Sequence, residues 1–154
     1  MLLSNYTIHD THFSNQFGNS GTFLYIYMNS NAKVSSCLFI NATATDTGAA
    51  ISSSSSNIEI SDCRFEDLES DVGSLLYANL YTNVNISDSY AKNCKNNAYS
   101  GTLKLFESSI RVTNITLDTY STGGIHLGSS EAAIFNSTFQ NGLNLQRDSA
   151  IYCR

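Results

Sequence analysis

The chain has 154 residues, 42% hydrophobic and only 14% charged, with 8 Lys and Arg against 13 Asp and Glu for a net charge of −5. One domain of this length can bury a core, whereas so few and so scattered cations exclude nucleic-acid binding by phosphate neutralisation. No apolar run is long enough for a transmembrane segment, and a chain without Pro or Trp in which Ser, Thr and Asn replace charge points to repetitive β-structure rather than charge-driven disorder.

Met1 to Leu3 is too short for a signal peptide and gives way at once to Ser4 and Asn5. Any secretion signal is therefore expected elsewhere, or the chain is a piece of something longer. The first unit then reads Asn5, Tyr6, Ile8, Asp10, Thr11, Phe13. A step of 26 residues brings Asn31, Ala32, Val34, Ser36, Cys37, Phe39, and a second brings Asn57, Ile58, Ile60, Asp62, Cys63, Phe65. Asn83, Val84, Ile86, Asp88, Ser89, Ala91 follow, then Ser109, Ile110, Val112, Asn114, Ile115, Leu117. A shorter step of 22 gives Glu131, Ala132, Ile134, Asn136, Ser137, Phe139. Between these units run Gly-led apolar stretches at Gly21, Gly48, Gly73, Gly101 and Gly124, and the chain stops inside another at Ser149 to Tyr152. The Gly spacing varies, which places the length variation in a loop between the Phe65-like and Gly73-like positions.

Within a unit, Ile58-Glu59-Ile60, Val84-Asn85-Ile86 and Ile110-Arg111-Val112 alternate with period two, the mark of a strand with one buried face. The break that follows is Asp10, Ser36, Asp62, Asp88, Asn114 or Asn136. Asp and Asn tolerate left-handed backbone best among non-glycine residues, so a sharp bend is expected there. A second bend is expected at the Asn5, Asn31, Asn57, Asn83 column. One such unit cannot bury its apolar side chains alone, but stacked units can. The spacing therefore predicts an all-β fold over residues 1–154: a right-handed parallel β-helix, or β-solenoid, of about 5–6 coils with three short strands each. Stacking makes Asn5, Asn31, Asn57 and Asn83 a structural amide ladder, and makes Phe13, Phe39, Phe65, Cys37 and Cys63 an inward stack. Leucine-rich repeats, propeller blades and helical solenoids fit neither the period nor the residue types.

Gly48-Ala-Ala-Ile51 followed by Ile58-Glu-Ile-Ser-Asp-Cys-Arg-Phe65 resembles the repeats of polymorphic outer-membrane proteins, and equally the pectate-lyase-like β-helix regions of very large protist surface proteins. Ser35 to Asn41 and Asn136 to Asn141 match the second half of that motif; Gly123 to Ile125 and Ser149 to Tyr152 match the first. The resemblance covers nearly the whole chain and implies an extracellular or cell-surface protein used in adhesion or coats. It bears on fold more than on function, because the pattern encodes stacking.

Enzymes also use this fold. A lyase of this kind needs carboxylates holding Ca²⁺ and a Lys or Arg base; a hydrolase needs paired carboxylates. No Asp-Asp pair or His-Gly is present, His9, His12 and His126 are scattered, and Arg64 and Arg111 lie outward in different units. No catalytic residue, metal ligand or cofactor is expected. Asp62 with Asp88, and the acidic stretch Glu66 to Asp71, are Ca²⁺ candidates that read first as bend residues and a solvated loop. Cys37 and Cys63 read first as buried thiols, with a disulfide as the alternative; Cys94 is placed in a loop and the state of Cys153 is open. Sequons stand at Asn5, Asn41, Asn85, Asn114 and Asn136, no more than chance provides here; Asn85, outward on a strand, and Asn41, entering a loop, are the best glycosylation candidates. Tyr25, Tyr27, Tyr77, Tyr81, Tyr99 and Phe106 lie on or near the Gly-led strand. Core and coil-edge packing is the first reading, an outward strip for stacking on sugars the second.

The first unit starts in mid-coil and the last stops inside its opening strand. This predicts either a segment of a longer β-helix or a protomer whose ends stack on further copies into a fibre. The expected function is a non-catalytic structural or adhesive β-solenoid, with a glycan-binding or polysaccharide-cleaving module as the alternative. Its expected partners are copies of itself or further coils, and glycans.

Overall fold

The computed structural model describes residues 4–98, 100–142 and 150–154. These build an all-β parallel solenoid of three six-stranded sheets. The first sheet holds Ser4–His9, Ser30–Ser35, Asn57–Ser61, Asn83–Ser87, Ser109–Thr113 and Glu131–Phe135. The second holds His12–Ser20, Leu38–Thr47, Arg64–Ser70, Tyr90–Asn96, Thr116–Tyr120 and Thr138–Gln140. The third holds Leu24–Tyr27, Ile51–Ser54, Leu76–Asn79, Leu103–Phe106, Ile125–Gly128 and Ile151–Cys153. Each strand pairs in parallel with the equivalent strand of the coils before and after, so the repeat period becomes the hydrogen-bond register. Asn5 lies opposite Asn31, Asn31 opposite Asn57 and Asn57 opposite Asn83.

The interior is made of stacked columns of like residues. Ala32, Ile58, Val84 and Ile110 form one, and Val34, Ile60, Ile86 and Val112 another, all buried. The second sheet contributes Phe13, Phe39 and Phe65, whose rings stack at 4.9 and 4.8 Å with interplanar angles of 6° and 5°. That separation equals the strand spacing, so the parallel ladder itself imposes the ring stack. Phe23 tilts against Phe13 and Phe39 from the third side. Above Phe65 the column continues as Ala91 and Leu117, and the missing ring leaves a small apolar cavity of about 10 Å³ lined by Phe65, Ala91, Leu103, Ile115 and Leu117.

The bends are set by backbone chemistry. Asp10, Ser36, Asp62, Asp88, Asn114 and Asn136 all adopt left-handed φ, between 47° and 53°, which is the expected first bend. Cys37 and Cys63 sit one residue beyond it. Their thiols donate to the Ser35 and Ser61 carbonyls at 3.1 Å, as the Ser89 and Ser137 hydroxyls donate to Ser87 and Phe135 at 2.7 Å. The thiol therefore takes the place of a hydroxyl in closing the bend. Ser56, Thr82, Ser108 and Ser130 repeat the device where the third sheet turns into the first, each donating to a carbonyl of the preceding strand at 2.6–2.9 Å. At the bend into the third sheet Gly48 has φ +57°, and a Cβ there would lie 2.3 Å from the Ile51 carbonyl oxygen, so only glycine fits.

Four expectations about loops and bends are corrected. The second bend does not fall on the Asn column. The left-handed residues are Met28, Asn29, Ser55, Leu80, Tyr81, Glu107 and Ser129, whereas Asn31, Asn57 and Asn83 lie on the first-sheet strands, because the turn is closed one residue earlier, where the Ser30, Ser56 and Thr82 hydroxyls bond back to the third-sheet strand. The acidic stretch is no loop: Glu66, Asp67 and Glu69 lie on the strand Arg64–Ser70. Cys94 is on the strand Tyr90–Asn96, buried and inward, stacked between Leu68 and Tyr120. Asn41 lies inside the strand Leu38–Thr47 rather than entering a loop. The common cause of the last three is a left-handed kink in the second-sheet strands at Asn15, Asn41, Asp67 and Asn93, with φ of 52–56°, which lets each strand run on past its Phe position.

Candidate recognition face

The Asn5, Asn31, Asn57 and Asn83 side chains form a continuous chain of amide hydrogen bonds, each Nδ2 donating to the preceding Oδ1 at 2.9 Å, and Ser109 donates its hydroxyl to Asn83 at 2.7 Å. A second ladder, unread in the sequence, follows the kink: Asn41 donates to Asn15 at 2.7 Å and Asn93 to Asp67 at 2.9 Å. Its signal was Asx recurring at the 26-residue step four residues after the Cys column.

Similar bonds between coils occupy several outward carboxylates. Asp88 accepts from Asn114 at 2.7 Å, Asp118 from Asn141 at 2.8 Å and Asp46 from Ser20 at 3.3 Å. Glu59 pairs with Lys33 at 2.9 Å, and Glu66 takes up Arg64, which also lies 5.6 Å from the Tyr90 ring. Arg111 stands 4.6 Å over Phe135. Among the described residues no group of three His, Cys, Asp or Glu is placed to hold a metal ion; Asp62 and Asp88 are neighbours in the bend column and Asp67 belongs to the second ladder.

Cys37, Cys63, Cys94 and Cys153 are free thiols, the first three buried and Cys153 exposed. Burial pushes the Cys63 thiol up to about 11. Burial, reinforced by the Asp67 carboxylate, pushes Cys94 up to about 12. These are inert core thiols rather than nucleophiles, since the thiolate is the reactive form.

The sequon asparagines are all exposed. Asn41 and Asn114 have their amides committed to ladder bonds and Asn5 accepts from Asn31. Asn136 is a bend residue, and Asn85 projects from mid-strand between Glu59 and Arg111.

The outer face of the third sheet differs from the other two. Here Tyr25 and Tyr27 stand outward at 61% and 47% exposure, Phe106 at 44% and Tyr152 at 44%. Core and coil-edge packing is the first expectation for this group; its core part is corrected for Tyr25, Tyr27, Tyr81 and Phe106, which are exposed, while Tyr77 is half-buried and Tyr99 lies outside the described residues. In the run Leu24-Tyr-Ile-Tyr27 both alternating sets are apolar, so period two could not say which faced in; the stack of Leu24 on Ile51, Leu76, Leu103 and Ile125 decides it. Ser52 and Ser54 lie between Tyr25 and Tyr27 on one side and Tyr77 and Asn79 on the other. Although outward, they are only 4% and 8% exposed, because the larger neighbours cover them. The column Tyr25, Ser52, Tyr77, Lys104, His126, Tyr152 thus runs along the solenoid axis at one residue per coil.

The fold itself defines the class: an all-β parallel solenoid with three strands per coil and a 26-residue register. In comparisons with models of known families and with curated proteins, nothing matches the chain. Among the described residues no helix is long and apolar enough to cross a membrane.

Proposed function

We propose that the chain is a non-catalytic structural and adhesive β-solenoid of an extracellular or cell-surface protein, with the outer face of the third sheet as its contact surface. The observation that carries this is the concentration of exposed Tyr25, Tyr27, Tyr81 and Phe106 on one face and its adjoining bend, where exposed aromatic groups of this size mark interaction sites. Two further features support it. Several outward carboxylates bond across coils rather than gathering in a cleft, and the Gly-Ala-Ala-Ile and Cys-x-Phe motif resembles the β-helix repeats of surface proteins. The test is adhesion of the chain, coupled to beads, to cells or matrix. Tyr25→Ala with Tyr81→Ala is expected to abolish adhesion while leaving the far-ultraviolet circular dichroism unchanged; adhesion undiminished in that variant would reject the face.

A second reading has its own observation in the ring-lined column over Ser52 and Ser54: the partner is a glycan, its sugar rings packing on tyrosine. Retention on immobilised oligosaccharides, lost on Tyr25→Ala, tests it. Cleavage of the bound polysaccharide is the variant of this reading that the dispersed carboxylates disfavour.

A further inference from the structure

On a protein of net charge −5, the outer face of the third sheet gathers Lys104 and Arg154 around the His126 imidazole. Lys104 and His126 lie directly opposite each other on adjacent coils. Arg154, two residues beyond Tyr152, completes the group and acts electrostatically on both. Burial, then the Arg154 charge, lowers the Lys104 pKa, and burial, then Lys104 and Arg154, lowers that of His126. Among the described residues, the ion pairs join His9 to Asp10, Lys33 to Glu59 and Arg64 to Glu66; none offers a carboxylate to Lys104, His126 or Arg154. Among the described residues, Lys104 and Arg154 therefore stand beside the His126 imidazole without a carboxylate partner.

Aromatic rings bracket them. Tyr77 is the neighbour of Lys104 on the preceding coil and Tyr152 that of His126 on the following one. The Tyr152 ring meets the His126 ring edge-on at 4.7 Å. Ring, cation, imidazole, ring thus succeed one another at the inter-coil spacing of about 4.8 Å. A ligand lying along the axis must repeat at a similar interval. A chain of linked pyranose rings advances by about that distance per sugar, whereas an extended peptide presents same-side groups about 6.6 Å apart.

We propose that this face binds an anionic glycan along the solenoid axis, its carboxylate or sulfate groups meeting Lys104, His126 and Arg154 and its sugar rings packing on Tyr77 and Tyr152. The proposal rests on the glycan reading above and names the ligand class. It requires only charge-assisted hydrogen bonds and ring contact, with no chemical step.

The experiment is a binding titration of the full chain with four probes of matched length: a heparin oligosaccharide, a hyaluronate oligosaccharide, neutral dextran and polyglutamate. The heparin or hyaluronate probe is expected to bind, and which of them binds more tightly separates sulfate from carboxylate. Dextran, which loses the charge-assisted contacts, is expected to bind at least about tenfold more weakly, and polyglutamate, which has no rings to pack on Tyr77 and Tyr152, is expected to bind more weakly than the anionic glycans. Lys104→Gln should weaken the anionic glycan about tenfold, Lys104→Arg should retain it, and Tyr152→Ala should weaken glycan but not polyglutamate. Dextran binding as tightly as the anionic probes overturns the ligand class and leaves the glycan reading standing. Polyglutamate equal to the glycans, or Lys104→Gln without effect, overturns the proposal as unspecific attraction or a misplaced site. No binding by any sugar overturns the proposal and the glycan reading together.

Discussion

Replacing Phe39 by Ala probes the stacking that holds the coils together. Phe39 is 0% exposed and lies between the parallel rings of Phe13 and Phe65, with Phe23 against it at 5.8 Å. Truncating a buried Phe costs about 3–5 kcal/mol through lost transfer free energy and the cavity left behind. Each lost ring contact adds about 0.5–1.5 kcal/mol. The backbone ladder at this position pairs Phe39 with both Phe13 and Phe65, so the coils cannot collapse into the space. With the two stacked rings the expected loss is about 4–8 kcal/mol, a large part of the stability of a domain this size. With a urea dependence of about 2 kcal/mol per molar, the unfolding midpoint should fall by about 2–4 M. Phe17, 74% exposed on the same strand as Phe13, is the control, and Phe17→Ala should move stability by no more than about 0.5 kcal/mol. Urea titration followed by circular dichroism reads both. A Phe39→Ala cost below about 1.5 kcal/mol, or one equal to that of Phe17→Ala, would refute the stacked core.

The remaining predictions use the same scaffold. Asn57→Ala breaks two ladder bonds and should cost about 1–2 kcal/mol, whereas Asn85→Ala, outside the ladder, should fall within about 0.5 kcal/mol; equal costs in urea titration would remove the ladder's role. Cys37→Ser and Cys63→Ser should each stay within about 1 kcal/mol of the parent, because a hydroxyl already makes the same bond at Ser89 and Ser137, while Cys63→Val should unfold at a clearly lower temperature. Cys63 and Cys94 have folded values raised to about 11 and about 12 from an ordinary 9.0. The stability they confer is complete below pH 9 and is lost as the unfolded thiols ionise between about pH 9 and 12; in Cys63→Ser with Cys94→Ser the alkaline slope should shrink, and a slope unchanged there would contradict the assignment. A thiol reagent should label Cys153 rapidly and the three buried thiols only on unfolding; a second fast thiol would show that one of the columns is open.

Much of the fold was legible because a solenoid writes its register into the sequence. Asn5, Asn31 and Asn57 recur at one step because they must lie opposite one another, and Asp10, Asp62 and Asp88 mark a bend because few side chains tolerate left-handed backbone. The second kink was not legible. Asn41 and Asp67 follow Phe39 and Phe65 where alternation breaks off, and a break in period two reads equally as the end of a strand or as a kink within it. The bend at Leu80 and Tyr81 was hidden because bulky apolar residues are poor predictors of φ near +51° and +63°. The recognition face was half legible. The tyrosines were visible as a group, but where Leu24 and Tyr25 are both apolar the orientation follows only from which of them stacks on the rest of the column. The pairing of Lys104 with His126 depended on the shortened step between their coils, which the constant 26-residue period conceals.

The central claim is that this solenoid holds a partner on its third sheet without transforming it. The most direct test is to incubate the chain with the polysaccharide it retains and to follow polymer length and complex formation together by size-exclusion chromatography with light scattering. The account predicts a complex that depends on Tyr25 and Lys104 and a polymer of unchanged length after prolonged incubation. A polymer that shortens with time in proportion to protein added would contradict it and make the chain an enzyme.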